Sequence, residues 1–226
     1  MVRDYQEYLD SLFKGKEEEE LTQRLFAEYS RWVNENPPSL ESFLQYYNDF
    51  LWPNEGKILQ MLKRKTATFL ILRGGAFEEF VARVLQPLVT ETSYDFRRDQ
   101  NILAWMGFLY DEHRLKLERS FQRADISFSK KVSLKIADEA FHVRIPKVVI
   151  ECKTWVDKAQ LRSISQEAND FRNIFPELVF YLVTLSTNYR AVDKRVIGRS
   201  IDKIFILEND TDVDVMRTEV RRALEN

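Results

Sequence analysis

The sequence predicts an α/β (α+β) fold, a central mixed sheet flanked by helices, with a helical region at its N-terminus. Three observations predict it. Apolar residues recur at helical spacing up to about residue 65. Beyond it, short apolar runs rich in β-branched residues, such as Val148-Val149-Ile150 and Val179-Phe180-Tyr181-Leu182-Val183, read as buried strands separated by helices. The 226 residues are 44% hydrophobic with only 6 Gly and 6 Pro, which suits a packed core and excludes low-complexity or collagen-like chains. The expected organisation is an N-terminal helical region over 1–65 and a core domain over 66–226.

In order, the first amphipathic helix follows the acidic run 17–20. Leu21, Phe26, Tyr29 and Trp32 or Val33 form its apolar stripe, and Asn36-Pro37-Pro38 stops it. The acidic run reads as a solvated face near a helix N-terminus, where the helix dipole favours negative charge. Ser39 is placed to cap the next helix, whose apolar face is Phe43, Leu44, Tyr47, Phe50 and Leu51. Residues 52–56 (Trp-Pro-Asn-Glu-Gly) read as a turn, and a short basic helix ends at Lys63-Arg64-Lys65. Gly74-Gly75 is expected to precede a helix over 76–86, stopped by Pro87. The charged, aromatic stretch 90–120 matches neither period clearly. Strands are expected at 125–136 and 141–153, a helix at about 157–174, strands at 179–185 and 204–207, and a closing helix at about 212–225.

No stretch approaches eighteen uncharged apolar residues, so no membrane contact is expected. The N-terminus lacks an apolar signal segment, and the single cysteine, Cys152, forms no internal disulfide; both predict a cytoplasmic location. The net charge of −2 means that any nucleic-acid contact must come from a local basic patch. One Cys and two His, His113 and His142, are too few for a zinc site. Nucleophile-elbow, phosphate-loop and dinucleotide-binding motifs are all missing from the sequence.

The informative segment is Ala124-Asp125-Ile126-Ser127-Phe128 with Val148-Val149-Ile150-Glu151-Cys152-Lys153 downstream. Side chains alternate along a strand, so Glu151 and Lys153 share one face while Ile150 and Cys152 point into the core. A three-residue loop at 137–139 would set Ile136 opposite Ala140 and Asp125 opposite Glu151. Side chains so paired have Cβ atoms roughly 4.5–5.5 Å apart. Carboxylates that close repel each other and favour a divalent cation between them; Mg²⁺ takes one or two carboxylates plus water and phosphate. The plain alternative is a structural ion pair between Asp125 and Lys153 across the hairpin.

Asp125 followed by Glu151-Cys152-Lys153 resembles the Asp…(Asp/Glu)-x-Lys signature of the PD-(D/E)XK nuclease superfamily. Gly75-Ala76-Phe77-Glu78-Glu79-Phe80 resembles its first core helix, and the element order over about 74–186 is similar to its core. Ala124 departs from the motif, standing where its name has Pro. The resemblance implies a restriction-endonuclease-like core and Mg²⁺ as cofactor. Asp125, Glu151 and the Cys152 carbonyl would be metal ligands, and Lys153 would orient or deprotonate the attacking water. An additional acid would come from Glu78, with Glu79 beside it as the other candidate. It further implies a type II restriction endonuclease acting on double-stranded DNA at a palindromic site. A homodimer would cut both strands, with the helical N-terminus as dimer or DNA-clamping element. A cognate DNA methyltransferase would protect the host site without stable binding. The alternatives are a repair or junction-resolving nuclease of the same superfamily, or a catalytically silent DNA-binding protein of the same fold.

Phosphate and base contacts are expected from Arg97, Arg98, Asn101, His113 and Arg114 before the Asp125 strand, and from Lys130 on it. Gln160, Asn169 and Arg172 on the following helix, and Asn188 and Arg190 after the 179–185 strand, complete the set.

Overall fold

A computed structural model describes residues 5–111, 114–136, 139–187 and 200–226; side chains at 103–119, 134, 136 and 139–141 lie outside that description. Helices α1 (Tyr5–Leu12), α2 (Glu20–Val33), α3 (Leu40–Leu44), α4 (Glu55–Leu62), α5 (Thr66–Leu85) and α6 (Leu88–Glu91) come first. Strands β1 (Asp95–Asp111), β2 (Arg114–Ile136) and β3 (Glu139–Lys153) follow, then α7 (Lys158–Ile174), β4 (Val179–Thr184), β5 (Lys203–Ile206) and α8 (Asp210–Glu225). The sheet order is β1-β2-β3-β4-β5, antiparallel through β3 and parallel from β3 to β5. This is the mixed sheet flanked by helices that the sequence predicts. No helix among the described residues is long and apolar enough to cross a membrane.

Residues 17–20 are exposed at the start of α2; of the expected stripe Tyr29 and Trp32 are buried and Leu21, Phe26 and Val33 partly covered, while Leu25, outside that stripe, is buried as well. Ser39 caps α3 by accepting from the Ser42 N–H at 3.2 Å. The helix then runs on as a π-helical segment, Gln45–Leu51, and a 3₁₀ turn, Trp52–Asn54, leads straight into α4. The expected turn over 52–56 is therefore helical from Glu55 onward.

The largest departure is at Gly74-Gly75. They lie inside α5, which begins at Thr66 rather than Ala76. Each helix-interior glycine costs about 1 kcal/mol relative to alanine. The buried face of α5 starts before the pair, at Phe69 and Leu72, and continues after it through Ala76, Phe77, Phe80, Val81 and Leu85. Burial on both sides outweighs the two local penalties.

The sheet separates two apolar layers. Ile126, Phe128, Val148, Ile150, Cys152 and Val183 pack in one cluster with α5, α8 and the N-terminal helices. Val149, Phe180 and Leu182 pack with Leu161, Ile164, Ala168 and Phe171 of α7 on the other face. Residues before 66 share the first cluster: the Phe43 and Phe80 rings stack at 4.6 Å, and Trp32 meets Phe80 at 6.3 Å. Phe80→Ala is therefore expected to destabilise the protein by about 3–5 kcal/mol, the cost of an unfilled aromatic cavity. A urea titration checks it, with a lower midpoint at an unchanged slope.

The charged stretch 90–120 is mostly strand: β1 pairs with β2 along nearly its whole length. At the β2–β3 tip Ile136 faces Glu139, one residue off the expected pairing with Ala140. A register shift between Phe128 and Ser129, with Lys147 as the extra residue beside Pro146, then corrects the offset. Beyond it Phe128 faces Val148 and Ile126 faces Ile150, the alignment that brings Asp125 level with Glu151.

Candidate active site

Asp125, in the middle of β2, meets Glu151 and Lys153 at the C-terminal end of β3. The Asp125 Oδ2 atom accepts the Cys152 backbone N–H at 2.9 Å, tying the two strands together at this point. The Lys153 Nζ atom lies 3.6 Å from Asp125 Oδ2 and in direct contact with Glu151 Oε1, so one ammonium bridges both carboxylates. Asp125 and Glu151 are both buried. Buried carboxylates are costly unless paired or used. Cys152 turns its side chain into the core, and burial, then the nearby carboxylates of Asp125, Glu78 and Glu151, keep its thiol protonated.

Glu78 and Glu79, adjacent on α5, part ways. Glu79 is buried and pairs with Arg83 at 2.5 Å and with Arg98. Glu78 instead joins the carboxylate group: Arg123 Nη2 lies 3.7 Å from its Oε2 and 3.8 Å from Asp125 Oδ1. Burial, and next the Asp125 charge, push Glu78 up to about 7 against the pull of Arg123 and Lys153. Burial and Asp125 likewise push Glu151 up to about 8, opposed by Lys153. Burial alone would lower the Lys153 ammonium, but Glu151 and Asp125 outweigh it and raise it. The physical picture is an excess of negative charge. One ionised carboxylate satisfies Lys153, and its neighbours hold protons more tightly.

Three residues at this site were not anticipated. Arg123 precedes Asp125 by two positions on β2, so period-2 alternation alone would have placed it on the same face. Asp99, which pairs with Arg123, stands level with Asp125, between the pairs Arg98–Ile126 and Gln100–Ala124. Its φ of 46° lies in the left-handed region, which aspartate tolerates better than most residues. Glu167 of α7 is raised by burial and by Asp125, with Lys153 opposing. Its place beside the site depends on how α7 packs, which no local pattern encodes.

Hard oxygen donors suited to Mg²⁺ are thus together: the Asp125 and Glu151 carboxylates, bridged by Lys153. Among the described residues no group of three or more His, Cys, Asp and Glu side chains is spaced to hold an ion unaided. Mg²⁺ usually takes one or two carboxylates and completes its shell with water and phosphate.

The expected DNA-contacting residues do not form one set. Arg97 and Asn101 line an open cleft of about 890 Å³ together with Arg83 and Arg144. Arg98 lines it too, with its guanidinium tied to Glu79. Lys130 places its ammonium 4.6 Å from the centre of the Tyr94 ring. Asn169 is exposed on α7. Gln160 is the capping-box partner of Asp157 at the α7 N-terminus, accepting the Asp157 N–H at 3.0 Å. Arg172 pairs with Asp202, which also accepts the Phe180 N–H at the start of β4, away from the strand ends that carry Lys153. Arg114 opens β2, with its side chain outside the described residues; His113, Asn188 and Arg190 lie outside them altogether.

No family model matches the chain, and no curated protein matches it by sequence. Solved structures match it in fold. A chain of the native BbvCI A2B2 tetramer superposes with a TM-score of 0.52 and 17% identity, over 90% of this chain and 81% of that one. The restriction endonuclease PspGI in its substrate DNA complex gives a TM-score of 0.47 and 14% identity, over 96% and 81%. At these identities the likeness is one of fold, and with its mixed five-stranded sheet between helices the chain has a restriction-endonuclease-like α+β fold.

Proposed function

We propose that the protein is a type II restriction endonuclease that hydrolyses phosphodiester bonds within a specific palindromic site of double-stranded DNA, with Mg²⁺ as cofactor. The observation that supports this best is the convergence of Asp125, Glu151 and Lys153, with Asp125 anchored on the Cys152 N–H. Asp125, Glu151 and the Cys152 carbonyl would hold the cation, which polarises the phosphoryl oxygen and acidifies water. Lys153 positions the attacking water and offsets charge on the scissile phosphate. Glu78 is the additional acid rather than Glu79, because Glu79 is committed to two arginines. Arg123 holds Glu78 and Asp125 in place while itself held by Asp99. Arg97 and Asn101 contact DNA from the cleft beside β1. A homodimer places one such site on each strand of a palindrome, and a separate methyltransferase protects the host site.

Incubation of a mixed-sequence plasmid with Mg²⁺ tests this. Discrete fragments are expected. A smear or structure-selective cuts would indicate a repair or junction nuclease, and intact plasmid would indicate a DNA-binding protein without catalysis.

The elevated carboxylates give this reading a pH signature. Glu151 must lose its proton before it can serve as a cation ligand, and its proton is held up to about 8. Affinity for Mg²⁺ is therefore expected to rise between pH 6 and about 8 and then level off. Calorimetry in buffers of different ionisation enthalpy checks it by counting protons released; release that stays at zero across the range contradicts it.

A further inference from the structure

Large apolar side chains that stay in water usually mark a contact surface when they gather in one place. Trp52, Leu70 and Trp155 are 52%, 59% and 43% exposed and line a single cavity of about 1020 Å³ with Tyr47 and Arg73. The cavity opens between the N-terminal helices and the carboxyl ends of the parallel strands. Trp155 follows Lys153 by two residues, Ser186 follows β4 and Glu208 follows β5. That end of a parallel sheet is where ligands commonly bind.

Its chemistry is unlike that of the arginine-rich cleft beside β1. The Arg73 guanidinium carbon sits 3.6 Å from the centre of the Trp52 ring and 4.9 Å from that of Tyr47, whose hydroxyl accepts from Arg73 Nε at 2.9 Å. Among the described residues no carboxylate pairs with Arg73. The result is a flat cationic and aromatic stack with a partly open face. Glu208 at the rim disfavours a phosphate and suits the amino edge of a base, while Asn48 and Ser186 add further hydrogen-bonding groups. Nucleobases stack on such platforms without regard to sequence, because every base has a π-face.

We propose that this cavity receives a single DNA base that has left the duplex stack beside the cleavage site, with Trp52 and Trp155 as its stacking residues. The proposal rests on the nuclease reading for the nature of the ligand. Its energetic logic is that leaving the stack costs least for a base already unpaired.

Random-sequence duplexes, either fully paired or carrying one unpaired base, are titrated against the protein in Ca²⁺ and followed by fluorescence anisotropy. The duplex with the unpaired base is expected to bind roughly tenfold more tightly, the scale of one base–aromatic stack. That preference is expected to vanish in Trp52→Ala and Trp155→Ala and to persist in Trp52→Phe. Both tryptophans are half exposed, so melting temperatures near wild type are expected and are measured alongside. A wild type without the preference, or alanine variants that keep it, would overturn the proposal. Plasmid cleavage by the wild type separates this result from the nuclease reading. Cleavage without the preference removes the base cavity alone, whereas the preference without cleavage removes the nuclease and leaves the cavity.

Discussion

Asp125→Asn and Glu151→Gln are each expected to reduce DNA cleavage below detection, a loss of roughly a thousandfold or more, while the protein stays folded. Both changes remove a charge and keep the shape. The distinction from alanine matters at Asp125, whose carboxylate accepts the Cys152 N–H. Asp125→Ala would strand that buried donor at a cost of about 1–3 kcal/mol, mixing a folding defect with a catalytic one. Asparagine keeps the acceptor. At Glu151 the opposite holds: its carboxyl is already pushed up to about 8 by burial and by Asp125, so a neutral glutamine costs little in the metal-free protein. Single-turnover cleavage in Mg²⁺, with melting curves of the same preparations, checks both variants. Folded proteins that cut at near-normal rates would falsify the assignment of these carboxylates as cation ligands.

Lys153→Ala is expected to slow turnover by roughly a hundredfold or more, the scale of losing a positioned proton-transfer or electrostatic group. The ammonium bridges Asp125 and Glu151, so its loss leaves two buried carboxylates with only Arg123, 3.8 Å from Asp125, as a cation beside them. A lower melting temperature without Mg²⁺ is therefore expected whether Lys153 acts in catalysis or only in structure. The rate separates the two roles. A purely structural lysine predicts near-normal cleavage well below the melting temperature once Mg²⁺ is saturating. Lys153→Arg sharpens the contrast, because a guanidinium restores the ion pair but is broader and scarcely deprotonates. It should recover stability and little of the rate.

Legibility varied with the range of the forces involved. The caps at Ser39, Asp157 and Asn209 are short-range chemistry between a side chain and backbone a few residues on. Of these, the first was read directly. Gln160 shares this local chemistry, accepting the Asp157 N–H, and it also lines the cavity that holds Trp52 and Trp155. Glycine propensity misled at 74–75 because a one-residue preference competes poorly with burial spread along a twenty-residue helix. Period-2 alternation placed Glu151 and Lys153 on one face and Cys152 in the core, and it would have placed Arg123 beside Asp125 as well.

Alternation, periodicity and capping over a few residues were enough for the order of elements from about residue 125 onward and for the identity of the acidic and basic residues on β2 and β3, but not for β1. The tertiary structure alone decided the rest. It set the level of Asp125 against Glu151 through a bulge at Lys147 that offsets a tighter tip. It sent Glu79 to Arg83 and Arg98 and left Glu78 with Asp125 and Arg123. It also brought Trp52, Arg73 and Trp155 to one cavity. The physical reason is that neighbours in sequence constrain a side chain's direction, whereas its ionisation and its partners depend on distances to groups far along the chain, which exist only once the sheet and helices have packed.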